Sequence, residues 1–120
     1  MFDLEKIDNL KNFVVHAGIH PIGVGHIMRL RFPNGYGASI IRTPFSYGGD
    51  DGLFELAVLK FGETDNDFSL TYETPITDDV LGHLEFCEVV LTLNKIKNLP
   101  PRDTTRGIIC DATESIIDSA

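Results

Sequence analysis

The sequence predicts an α+β fold: an antiparallel sheet of about four or five strands packed by a C-terminal helix. Three observations carry this prediction. Two apolar-rich runs, 26–32 and 36–42, flank the pair Asn34-Gly35, a strong hairpin signal. Residues 53–59 are apolar at both parities, as a central strand is, and residues 68–73 alternate apolar with polar. Phe86, Val89, Val90, Leu93, Ile96 and Leu99 then recur at helical spacing, ahead of Pro100-Pro101, which end a helix.

In order along the chain, residues 1–15 form a short amphipathic segment with Leu4, Ile7, Leu10 and Val14 at helical spacing. Residues 16–25 hold three glycines and a proline, which predicts a loop or an irregular edge. The sheet is expected over about 26–73, broken by a glycine-rich loop after Thr43 and a polar turn over 62–67. The helix is expected over about 77–99. Thr77 would cap it, Asp78 and Asp79 would face the positive end of its dipole, and Lys95 and Lys97 would suit its C-terminal end. Gly82 divides it into a short first turn and a longer second piece. Residues 102–120 form an arm whose isoleucines fit a last strand, a second helix or a contact with another subunit. All of this reads as a single domain, 1–120.

Composition limits the function classes. The chain has 120 residues, 42% of them hydrophobic, which is enough for a core without metals or staples. No apolar run reaches the roughly 20 residues of a membrane helix, and the first residues lack the pattern of a signal peptide. Two cysteines, Cys87 and Cys110, make no disulfide framework, which points to a reducing cytoplasm. A net charge of −8 disfavours bulk nucleic acid and anionic membrane, yet leaves room for a small anionic ligand in a local basic pocket.

No hydrolase elbow, P-loop, metalloprotease helix or calcium loop occurs, so no catalytic residues, no metal site and no cofactor are expected. His16 and His20 have metal-binding spacing only on a helix, which Gly18 and Pro21 oppose. Cys87 lies on or beside the apolar stripe, where an inert thiol is usual.

The arginines fall into two clusters: Arg29, Arg31 and Arg42 on the hairpin, and Arg102 and Arg106 beyond the helix. A two-residue turn at Asn34-Gly35 pairs Ile27 with Arg42, Arg29 with Ile40 and Arg31 with Ala38. That register sends all three hairpin arginines to one sheet face. Either internal carboxylates or a ligand phosphate would answer them. Phe45 and Tyr47, on the adjoining loop, either stack on a base or fold into the core. Arg102 and Arg106 read as a second clamp or as a solvated loop.

At these residues the chain resembles small phage-encoded accessory proteins. Asn34-Gly35-Tyr36-Gly37, Ser46-Tyr47-Gly48-Gly49, residues 52–59 and Pro75-Ile76-Thr77-Asp78-Asp79-Val80 follow one another in an order most similar to the first described anti-Thoeris sponges. The similar stretch covers about residues 26–99. The resemblance implies a non-enzymatic oligomer, a dimer or a multiple of dimers, acting in the cytoplasm of the infected bacterial host. It also implies sequestration of a cyclic ADP-ribose isomer, and in some members of cyclic oligonucleotides. By residue type and region, Arg29, Arg42, Phe45, Tyr47, Arg102 and Arg106 would hold the nucleotide. The alternative is an acidic protein–protein inhibitor of a bacterial defence complex, such as an anti-CRISPR protein. It would use acids that lie at intervals along the chain without a long acidic run. A third class, a virion assembly protein, has no specific support in the sequence.

Overall fold

The β2–β3 hairpin organises the molecule. The computed structural model describes residues 7–46, 48–77 and 79–102; the expectations placed on Leu4, Tyr47, Asp78, Arg106 and the arm beyond Arg102 lie outside the described residues. Among the described residues, six antiparallel strands form one sheet: β1 (Val14–Ile19), β2 (His26–Arg31), β3 (Tyr36–Arg42), β4 (Phe54–Phe61), β5 (Phe68–Leu70) and β6 (Leu81–Leu84). The strands lie in the order β1-β2-β3-β4-β5. β5 pairs with the C-terminal end of β4, and β6 pairs with its N-terminal end. The helix α1 (Phe86–Lys97) packs on the sheet, so the expected α+β architecture holds.

Alternation puts Met28 and Leu30, Ala38 and Ile40, and Leu56 and Val58 on one face of the three central strands. These side chains are buried against Val89, Leu93 and Ile96 of α1. Ile7 and Leu10 are fully buried in the same cluster, whereas Val14, expected to continue their helical spacing, begins β1.

Three local expectations are decided by the structure. First, of the two readings for residues 16–25, a loop or an irregular edge, residues 16–19 take the second: with Val14 and Val15 they form β1, the irregular edge partner of β2. β2 would otherwise leave a row of backbone donors and acceptors without partners along a largely buried strand. Gly23 and Gly25, both at positive φ, form the return instead.

Second, the helix begins at Phe86, not at Thr77. Three-residue β5 leaves the start of β4 unpaired, and Leu81–Leu84 completes that edge as β6. Thr77 makes a local turn instead, accepting the Asp79 N–H at 3.0 Å. The helix cap is Glu85, whose N–H donates to Glu88 Oε1 at 2.9 Å in a capping box.

Third, the hairpin turn has three residues. The Gly35 N–H donates to Phe32 O at 3.1 Å, and the Phe32 N–H to Tyr36 O at 2.8 Å. Pro33 suits the second position of a type I turn, and Gly35 follows at φ 89°, in the left-handed region. Asn34 is not at positive φ, as a two-residue Asn-Gly turn would require. Ile27 therefore pairs with Ile41, and His26 with Arg42.

Candidate functional site

That one-residue change of register divides the predicted arginine face. Arg29 is opposite Ser39 and Arg31 opposite Gly37, on the sheet face away from α1. Arg42 is opposite His26 on the helix side, where its guanidinium lies 5.5 Å from the Phe54 ring centre. The three hairpin arginines do not share a face.

Each of the others has its own local role. Arg31 donates to Asp65 Oδ1 at 3.1 Å and to Gly62 O at 2.7 Å, and covers the Phe61 ring at 5.2 Å. For Arg31 the internal-carboxylate reading is therefore the correct one. Arg29 lies over Phe68 at 4.6 Å. Arg102 donates from its backbone N–H to Asn34 O at 2.8 Å and from its guanidinium to Phe61 O at 2.7 Å. It thus fastens the β2–β3 turn to the end of β4, on the side of a cleft of about 220 Å³ that Asp67 also lines.

Arg42 and the turn that carries Phe45 adjoin at the open end of the β2–β3 pair, and of the two residues only Arg42 lines the cleft there. This cleft, of about 310 Å³, is lined by Arg42 with Gly25, His26, Thr43, Pro44, Gly49 and Asp50. Its wall is a tightly bonded turn. The Thr43 N–H donates to Ser46 Oγ at 2.9 Å, and the Ser46 hydroxyl donates back to Thr43 O at 3.0 Å. The Phe45 N–H donates to Thr43 Oγ1 at 3.1 Å, and the Gly49 N–H to Ser46 O at 3.0 Å. A Cβ at Gly49 would collide with the Thr43 carbonyl oxygen, so only glycine fits that crossing. The turn leaves the Phe45 ring 82% exposed, which answers the expectation that it might fold inward.

A further feature concerns charge placement. No Asp or Glu occurs between Asp8 and Asp50, whereas Lys11, Arg29, Arg31 and Arg42 all fall in that interval with His16, His20 and His26. The fold gathers this interval into β1, β2, β3 and their connections. The acids therefore fall in the first eight residues and from Asp50 onward, mostly in the connections that flank β4, β5 and β6. Counting acids in windows along the sequence reveals this signal; total charge conceals it.

Other candidates recede. His16 lies on a strand and His20 just beyond it, so they do not present the helical metal spacing. Among the described residues, no three His, Cys, Asp or Glu side chains gather as a metal site. Cys87 is exposed, off the buried stripe of α1. Among the described residues, no helix is long and apolar enough to cross a membrane. Protein-family models, curated proteins and solved structures contain no match to this chain.

Proposed function

We propose that the chain is a non-enzymatic phage anti-defence protein that binds and sequesters a cyclic nucleotide immune signal in the cytoplasm of the infected bacterial host. The signal in this reading is a cyclic ADP-ribose isomer or a cyclic oligonucleotide. The observation that carries the reading is a cleft lined by Arg42, with a hydrogen-bonded turn for its wall and the exposed Phe45 on that same turn. A guanidinium suits a phosphate, and an exposed ring on a rigid turn suits the face of an adenine. The lack of acids between Asp8 and Asp50 leaves Asp50 as the one carboxylate among the residues lining the cleft. Asp50, which also lines the cleft, is suited to accept from sugar hydroxyls. Arg29 faces away from this cleft and Arg102 is fastened elsewhere, so a role for either requires a homo-oligomer that brings it from another copy.

Calorimetry with cyclic ADP-ribose isomers and cyclic di- and trinucleotides tests the reading. Arg42→Ala and Phe45→Ala are each expected to weaken binding at least tenfold, on the order of 1.4 kcal/mol or more. Arg29→Ala is expected to leave single-cleft binding unchanged. If no nucleotide in this set binds the wild-type chain, the reading fails.

The segregated acids favour a second reading, an acidic inhibitor that presents its β4-to-α1 side to a basic protein surface. Capture of a defence-complex protein that weakens steeply with salt would select it over nucleotide binding.

A further inference from the structure

We propose that the chain's own segment 103–120 binds the sheet face opposite α1 and covers the exposed row Phe68, Leu70 and Tyr72. The inference goes beyond the nucleotide reading and does not rest on it, because it concerns the other face of the sheet.

A sheet with a helix on one face ordinarily turns polar side chains to the other. This sheet does not. Register places Ala57, Leu59 and Phe61 of β4 on the face away from α1, with Phe68 and Leu70 of β5 beside them. Leu59 and Phe61 are buried, and Phe68 packs on Phe61 with 5.6 Å between ring centres. The outer layer stays open: Phe68, Leu70 and Tyr72 are 37%, 47% and 45% exposed. Tyr72 continues the row, because the Thr71 N–H donates to Val58 O at 2.9 Å and alternation returns Tyr72 to the side of Leu70. The backbone beside the row is open as well. The Gly62 N–H donates to Asp67 O at 2.7 Å, so Asp67, Ser69 and Thr71 direct their backbone groups to β4. Phe68 and Leu70 alternate with them and turn their N–H and C=O groups outward.

Charge at the row is unanswered too. Arg29 lies over the Phe68 ring at 4.6 Å, with His16 opposite it on β1 and Ser39 opposite it on β3. Arg31 has Asp65, but among the described residues no carboxylate pairs with Arg29.

The course of the chain identifies the occupant. Arg102 is fastened by its backbone N–H to Asn34 O and by its guanidinium to Phe61 O, and it lines one cleft with Phe61 and Phe68. The chain therefore arrives beside the first residue of the exposed row. Residues 103–120 reach about 59 Å at roughly 3.3 Å per residue, more than twice the length of seven-residue β3. Their composition complements the face. Ile108-Ile109 and Ile116-Ile117 suit the apolar row, and Asp111 and Glu114, between those pairs, suit the Arg29 guanidinium. Four carboxylates against the single guanidinium of Arg106 give the segment a net charge of −3, whereas no acid occurs from Lys11 to Arg42. Attachment at Arg102 also presents the segment at an effective concentration on the order of millimolar, which a free partner would have to exceed.

Nuclear magnetic resonance on the full chain tests this. In a Cys87→Ser variant Cys110 is the single cysteine, and a nitroxide there is expected to remove most of the amide signal of Phe68, Leu70 and Arg29. Leu91, on the outer side of α1, is expected to keep its signal. Adding Arg29→Glu and Leu70→Asp to the labelled chain is expected to restore the Phe68 signal with an unchanged circular dichroism spectrum. A label-free arm decides the matter if the nitroxide disturbs the contact. There, Ile108→Asp combined with Ile109→Asp is expected to shift the Leu70 methyl and Phe68 ring signals and to leave those of Val89 and Leu93 in place. Equal broadening across the molecule, or unshifted Leu70 and Phe68 signals in the isoleucine variant, overturns the inference. So does broadening that persists when the nitroxide is on one copy and the isotope label on another, which would assign the segment to a second chain.

Discussion

Asn34 shows how one side chain can be read correctly as a turn residue and still be misjudged. Its Nδ2 donates to Ile96 O at 2.8 Å and to Lys97 O and Leu99 O at 3.1 Å, while its Oδ1 accepts the Tyr36 N–H at 3.0 Å. A hairpin residue thereby satisfies the carbonyls at the C-terminal end of α1, more than sixty positions away. Asn34→Ala leaves buried carbonyls without donors and is expected to lower stability by about 2–3 kcal/mol in urea unfolding. Asn34→Asp has nearly the same shape but sets a carboxylate against carbonyl oxygens, and it should cost more than alanine. An equal or smaller loss for the aspartate variant would show that the caps contribute little. At the other end of the hairpin, Gly49→Ala is expected to distort the Thr43–Ser46 turn, with a loss of about 1–3 kcal/mol and weakened nucleotide binding. Pro33, immediately before Asn-Gly, is the sequence sign that favours three loop residues over two. Residue type alone does not say that Asn34 is needed for a distant helix.

Among the elements, those with strong periodicity are the legible ones. The stripe through Val89, Leu93 and Ile96 is the buried face of α1, and Leu93→Ala is expected to cost about 2–5 kcal/mol by equilibrium unfolding. The beginning of the helix is less legible, because Thr77 and Asp79 satisfy general capping preferences yet are used in a local turn. Glu88→Ala removes the acceptor for the Glu85 N–H and should cost about 1 kcal/mol, whereas Thr77→Ala should leave the helicity of α1 unchanged. β1 and β6 are decided by neighbours: both stretches contain glycine and weak patterns, and each is a strand because an adjacent one offers unpaired backbone groups.

At the scale of the whole molecule, charge distribution matters more than total charge. The acids lie at Asp50 and beyond or in the first eight residues, while Arg42, at the end of the basic hairpin, lines the cleft. Screening should relieve repulsion among the acids, so Tm is expected to rise as salt is added from low ionic strength. Over the same range nucleotide affinity at Arg42 should fall. A Tm that drops with salt would mean that attractive pairs such as Arg31–Asp65 outweigh the repulsion.

The sequence by itself determined the α+β class, the alternating core face of the central strands, the apolar stripe of α1 and the segregation of acids. These depend on the order and period of residue types, which local physics reads directly. Only the tertiary structure decided that the hairpin register slips by one residue, that Arg29 and Arg42 lie on opposite faces, and that Phe45 is exposed beside the cleft. The physical reason is that strands have a period of two: one added loop residue, held by the side chain of Asn34 against a distant helix end, exchanges the two faces.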